Sequence, residues 1–132
     1  PGGRFLAFQA TRPGTGPDLM ILPMEGDATR GWTPGTPTVF LSTPVNESMP
    51  MFSPDGRWIA YSSNEARTGV NDVYVRPFPG PGGTWRISTT GGIYPRWSAM
   101  ARELLFLTFG QSQVMAAPYA SGAPEVEALG RA

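Results

Sequence analysis

The sequence predicts an all-β fold built of about three four-stranded antiparallel units, a stretch of β-propeller. Three observations carry that prediction. Apolar residues come in runs of only three or four, glycine and proline punctuate the chain throughout, and the pattern repeats at intervals of 45 to 53 residues. Repeats of roughly 40 to 50 residues that each hold four short strands are the mark of propeller blades, because a single such sheet cannot bury its apolar faces alone.

The bulk composition agrees with one folded domain covering residues 1–132, with blades at about 1–48, 49–93 and 94–132. An apolar fraction of 40% with 15% charged residues lies far from the charge-rich, apolar-poor signature of disorder. No apolar run approaches the 18 or so residues of a membrane-spanning helix, so no membrane contact is expected of this segment. Ten Arg balance ten Asp plus Glu, which leaves no net field to attract nucleic acid. The chain opens on Pro1-Gly2-Gly3-Arg4, with neither an initiator Met nor a signal-peptide pattern, and this suggests a piece of a longer protein.

In chain order the apolar runs are Phe5-Leu6-Ala7-Phe8, Leu19-Met20-Ile21-Leu22, Val39-Phe40-Leu41, Trp58-Ile59-Ala60-Tyr61, Val73-Tyr74-Val75, Trp85-Arg86-Ile87, Leu104-Leu105-Phe106-Leu107 and Val114-Met115-Ala116. Each is rich in β-branched, aromatic or aliphatic residues and bounded by turn formers, which reads as strand. None keeps a helical stripe over 10 to 12 residues, and Gly or Pro, 32 of the 132 residues together, interrupts nearly every window of that length. Several runs are apolar without strict alternation, as in strands packed between neighbouring sheets.

The repeat aligns Arg4, Arg57 and Arg102, each leading into an apolar strand. A second strand follows each, at Asp18-Leu19-Met20-Ile21-Leu22-Pro23, Asp72-Val73-Tyr74-Val75-Arg76-Pro77 and Gln113-Val114-Met115-Ala116-Ala117-Pro118. All three end in Pro, which is expected to stop the ladder. A third strand comes at residues 39–41 and 85–87. The lead-ins Met49-Pro50-Met51-Phe52-Ser53 and Tyr94-Pro95-Arg96-Trp97-Ser98 open the next units.

The residue inventory excludes most catalytic chemistry. His, Cys and Lys are all absent, so the chain has no imidazole base, no thiolate, no ordinary zinc or copper site, no Schiff-base or phosphate-binding lysine, and nothing to activate its serines. Asp18, Asp55, Asp72 and Glu103 could in principle form a carboxylate pair, yet Asp18 and Asp72 hold equivalent repeat positions and Asp55 sits in a turn, so repetition accounts for them. Asp55, Glu65 and Asp72 match no known acidic spacing for Ca²⁺. No catalytic residue, metal or cofactor is expected. Trp58, Trp85 and Trp97 read as packing between units. Arg57, Arg76, Arg86 and Arg96 form a mild basic concentration in the middle blade, and Arg76, Arg86 and Arg96 are the candidate contacts for an acidic peptide or carboxylate ligand. Their alternative is to pack over aromatic neighbours with solvated heads.

At Phe52-Ser53-Pro54-Asp55-Gly56-Arg57-Trp58-Ile59-Ala60-Tyr61 the chain resembles the PD40 (WD40-like, TolB-like) propeller repeat. Ser53, Pro54, Asp55, Gly56 and Arg57 form its structural turn: Pro54 presets one dihedral, Asp55 accepts from backbone N–H groups and Gly56 supplies a positive φ. Residues 51–102, with Asn71-Asp72-Val73-Tyr74-Val75-Arg76-Pro77-Phe78-Pro79-Gly80 among them, are most similar to the C-terminal propeller of bacterial membrane-anchored serine/threonine kinases. In the third copy Ala99-Met100-Ala101 replaces Pro-Asp-Gly, so a longer or distorted hairpin is expected there. The resemblance implies a non-catalytic binding or scaffold module outside the cytoplasm, with a protein, peptide or small ligand as partner. The alternatives it leaves are the substrate-gating propeller of a prolyl-oligopeptidase-like hydrolase and a TolB-like envelope assembly protein. Three units cannot close a ring, so further blades or self-association are expected.

Overall fold

The computed structural model describes residues 4–14, 16–67, 69–108, 110, 113–120, 123–124 and 129–131; the Pro1-Gly2-Gly3 copy of the turn lies outside them. Every regular element among these residues is a strand. The first sheet holds β1 (Phe5–Thr11), β2 (Pro17–Asp27), β3 (Gly31–Pro34) and β4 (Thr38–Leu41). The second holds β5 (Glu47–Phe52), β6 (Trp58–Arg67), β7 (Val70–Pro77) and β8 (Trp85–Arg86). The third holds β9 (Ile93–Ser98), β10 (Glu103–Leu107), β11 (Val114–Ala120), β12 (Ala123–Pro124) and β13 (Leu129–Arg131). All pairings are antiparallel. The second sheet is a plain meander, β5-β6-β7-β8, whereas in the other two a pair of short strands shares the outer side of β2 or of β11.

The repeat is written into the backbone. The carbonyls of Arg4, Arg57 and Arg102 accept from the N–H groups of Met24, Phe78 and Tyr119 at 2.6, 2.7 and 2.9 Å, so the three arginines occupy one structural position. At the Ser53 turn, the hydroxyl donates to Asp55 Oδ1 (2.7 Å) and accepts from the Trp58 N–H (3.0 Å). Asp55 Oδ1 also accepts from Arg57 N–H at 3.0 Å, and Gly56 takes φ +73°. Partial burial raises the Asp55 carboxyl pKa, but the Ser53 hydroxyl and the Arg57 N–H and guanidinium outweigh it and hold the group below its usual range.

One expectation is met in its second alternative and another requires correction. The third hairpin is distorted, not longer: Ser98 pairs with Glu103 just as Ser53 bonds to Trp58 five residues on. Without Pro-Asp-Gly, the positive φ moves one position and falls on Arg102 (+51°), while Ala101 N–H donates to Ser98 Oγ at 3.2 Å. Proline also fails to end two of the strands, since β2 runs on past Pro23 and β11 past Pro118. On the outer side of β2, β4 pairs with residues 19–21 and β3 with residues 24–27. Pro23 stands where one outer partner gives way to the other, so its missing N–H interrupts no bond. Pro118 has the same place between the partners β13 and β12.

Sheets pack face to face in chain order. Strand alternation sends Ala60, Val73 and Val75 to one side of the second sheet and Ile59, Tyr61 and Tyr74 to the other. On the first side they join Ile87 and, from the third sheet, Leu104, Phe106 and Ala117 in one buried cluster, against which Trp58, Trp85, Trp97 and Met115 pack. On the other, Tyr61 and Tyr74 meet Leu19, Phe40 and Leu41 of the first sheet. Trp97 ties the joint further, donating from Nε1 to the Met51 carbonyl at 3.0 Å.

Candidate binding site

The antiparallel meander gathers two kinds of connection at one end of the sheets: the links from an outer strand to the next sheet's inner strand (residues 42–46 and 87–92), and those between β6 and β7 and between β10 and β11. The Ser53 and Ser98 turns lie at the opposite end. At the first end a cavity of about 500 Å³ opens between the second and third sheets, lined by Asn46, Met49, Asn64, Asn71 and Ile93 with Gly69 and Gly110.

Met49 reaches this cavity because the inner strand is bulged. The β5–β6 register shifts between Ser48 and Met51, and Met49 sits at φ +57° just ahead of Pro50. Tyr94, ahead of Pro95, repeats the arrangement at φ +54°. Proline removes a ladder donor, and the bulge re-aims the side chain before it. The Met49 N–H donates to Gln9 Oε1 at 2.9 Å, anchoring the bulge to the first sheet.

The asparagines come from three places in the chain. Asn46 N–H donates to Asn64 Oδ1 at 2.9 Å, which occupies that oxygen and leaves the Asn64 amide NH₂ to offer a ligand. Asn71 is held through its carbonyl, which accepts from Gly92 N–H at 2.8 Å. Among the described residues the lining carries no charged side chain. Amides with two apolar side chains suit a neutral hydrogen-bonding ligand such as an extended peptide backbone.

A buried polar layer supports this end. Asp72 is fully buried; it accepts from Ser88 Oγ and Gly91 N–H, both at 2.9 Å, and from Arg86 Nη2 at 2.7 Å. Ser88 Oγ in turn accepts from Val73 N–H at 2.8 Å. These bonds fix the link into β9 and therefore Ile93. Asp18, the equivalent residue of the first sheet, is buried with Arg12 Nη1 at 3.9 Å.

Between the first two sheets, Glu47 is buried. Its Oε1 accepts from the Thr43 hydroxyl, and Oε2 has no hydrogen-bond partner among the described residues. Burial raises its pKa above the ordinary 4.5, the Asp18 and Glu65 carboxylates add to the rise, and Thr43 opposes it. A carboxyl whose folded pKa is raised contributes stability below its unfolded value, and that contribution is lost as pH climbs through the folded value. Glu47→Gln, which cannot ionise, is expected to be more stable than the wild type at pH 7 and to lose that advantage toward pH 4, as read by urea unfolding across the range. Tyr61, beside this group, is pushed by burial to about 12 against the pull of Arg76, whose Nε donates to its hydroxyl at 2.9 Å.

The three arginines singled out in the sequence are not among the residues lining the cavity. Arg76 bonds Tyr61 and borders a crevice of about 170 Å³ beside Pro77 and Pro79. Arg86 holds Asp72. Arg96 is exposed on β9, with Nη1 2.8 Å from Met51 Sδ. The asparagines and Met49 escaped sequence reading; the available signal was the shared X-Pro at 49–50 and 94–95, four residues ahead of each Ser.

No family model matches the chain, and no curated protein does. Solved structures do match. One, of a protein assigned as TolB from Agrobacterium tumefaciens, superposes over 97% of this chain with a TM-score of 0.69 at 20% identity. The fold is that of a TolB-like β-propeller. The three sheets are its blades, and the chain spans about half the length of that neighbour, 47%. At this identity the likeness is one of fold.

Proposed function

We propose that this chain is the non-catalytic recognition part of a larger assembly and that it holds an extended peptide of a protein partner in the cavity at Met49. The observation that carries this reading is the convergence of Asn46, Asn64 and Asn71 with Met49 and Ile93 on one open cavity that, among the described residues, has no charged group in its lining. Arg96, exposed on β9, and Arg76, in its crevice, are the arginines placed to meet an acidic group on such a partner; Arg86 is tied to Asp72. The similarity of residues 71–80 to the propellers of membrane-anchored kinases supports a sensor setting outside the cytoplasm.

The test is to select peptides from a phage-displayed library of unstructured sequences and to titrate the selected peptide by tryptophan fluorescence. Each lost buried hydrogen bond or apolar contact is worth about 0.5–1.5 kcal/mol. Met49→Ala and Asn64→Ala should therefore each weaken binding by up to about tenfold while leaving the far-UV spectrum unchanged. A selected peptide that binds both variants as tightly as it binds the wild type would refute the site.

A further inference from the structure

The joint between the first two blades holds a hollow at a place that the next joint fills. In the first blade Thr38 pairs with Ile21, and Ile21 with Ala7. In the second blade Trp85 pairs with Val75, and Val75 with Ala60. Because Arg4 and Arg57 occupy one structural position, Ala7 coincides with Ala60, and Thr38 holds the place of Trp85. Between blades two and three the Trp85 indole packs on the buried cluster and stands edge-on to Trp58, with ring centroids 5.0 Å apart and an interplanar angle of 78°. Between blades one and two, with only a threonine at that place, an apolar hollow of about 390 Å³ opens.

Described residues of two blades wall this hollow. Phe5, Ile21, Thr38 and Phe40 come from the first blade, Phe78 and Pro79 from the second. Phe5 stands where Trp58 stands in the next blade, and its ring meets Phe78 edge to face with centroids 5.2 Å apart; Phe40 lies 6.0 Å from Phe78. Rings at such angles offer faces and edges to a flat aromatic guest. A crevice of about 170 Å³ adjoins the hollow, sharing Phe40 and Pro79 with it, and its lining includes Arg76. The Arg76 Nε is taken by the Tyr61 hydroxyl, and the guanidinium makes no ion pair among the described residues. Its Nη groups are the donors left for an anion.

We propose that this hollow binds a small planar aromatic carboxylate, with the ring in the place that the Trp85 indole takes at the next joint and the carboxylate on Arg76. The volume lies at the small end of ligand pockets, which run from about 300 to 1,000 Å³, and so suits a ligand of one or two fused rings. An apolar wall with one guanidinium beside it selects an apolar body that carries a single anionic group. Where such a ligand is bound, its own carboxylate is the acidic group that meets Arg76. The site lies toward the Ser53 turn, where Phe78 N–H donates to the Arg57 carbonyl, at the end of the sheets away from the Met49 cavity. Its test uses no peptide, so either reading can fail while the other stands.

Indolepropionate serves as the probe, with its neutral amide and octanoate beside it, read by saturation transfer from protein to ligand protons in NMR. Indolepropionate is expected to bind, and the amide and octanoate to bind at least about tenfold more weakly, since one gives up the charged hydrogen bond and the other the ring contacts. Thr38→Trp, which supplies the indole from the chain itself, should abolish binding and raise the urea midpoint of unfolding. Thr38→Phe, a smaller plug, should weaken binding without abolishing it. Arg76→Gln, with an unchanged far-UV spectrum, should bring indolepropionate down to the affinity of its amide. No transfer to indolepropionate at about 1 mM, equal binding of the acid and its amide, equal binding of octanoate, or unchanged binding in the variants at position 38 would each overturn the proposal.

Discussion

Replacing Asp72 with Ala is expected to lower the free energy of unfolding by about 3–5 kcal/mol, measured by urea titration. The ion pair with Arg86 is the smaller part of this loss. The Arg86 side chain is 36% exposed, so its attraction for Asp72 is screened and worth less than about 1 kcal/mol. The larger part is the pair of buried donors left behind. Gly91 N–H and Ser88 Oγ both give their protons to Asp72 Oδ1 away from water. Each orphaned donor costs about 1–3 kcal/mol. The weighting is checkable: Arg86→Met, which keeps the stem over the sheet, should cost under about 1 kcal/mol, and Asp72→Asn, which keeps an acceptor oxygen, should fall between the two.

That hub shows why the fold was legible in the sequence and the site was not. The strands follow from short apolar runs between Gly and Pro, and the repeat of Arg4, Arg57 and Arg102 is a repeat of one backbone hydrogen bond. What recurs in sequence here recurs because each blade must make the same turn and bury the same faces. β3 escaped notice because Gly31-Trp32-Thr33-Pro34 is wholly exposed and gains its place from local chemistry: Asp27 Oδ1 accepts from the N–H groups of Thr29 and Arg30 at 2.9 and 2.7 Å and closes the turn before it. The prolines misled for a related reason. Whether Pro23 ends a strand depends on which partner lies beside it, and partner exchange along one strand leaves no mark in that strand's own residues. The cavity is further removed still. Asn46, Asn64 and Asn71 share no period, and only the joining of two blades, with the bulge at Met49, brings them to one opening.

The second large effect is expected at Phe106, in the joint between blades two and three. Phe106 is 2% exposed and packs into the cluster of Val73, Val75, Leu104 and Ala117. Phe106→Ala should destabilise by about 3–5 kcal/mol, the lost transfer of the ring plus the cavity it leaves; Met100→Ala, at a fully exposed turn position, should change stability by less than about 0.5 kcal/mol. The ring is held from the other side by a glycine. A Cβ added at Gly92 would lie 2.9 Å from Phe106 Cδ2 and 2.8 Å from Ser88 Oγ, closer than carbon side chains tolerate. Gly92→Ala in the wild type therefore overpacks the joint, at a cost of about 1–3 kcal/mol. In Phe106→Ala the ring half of that collision disappears, and the new methyl occupies part of the vacated space. The double variant should then be more stable than the sum of the two single losses by at least about 0.5 kcal/mol. Strict additivity would mean that the Ser88 contact alone limits position 92, and that the blades meet less closely at the ring than at the polar layer that Asp72 organises.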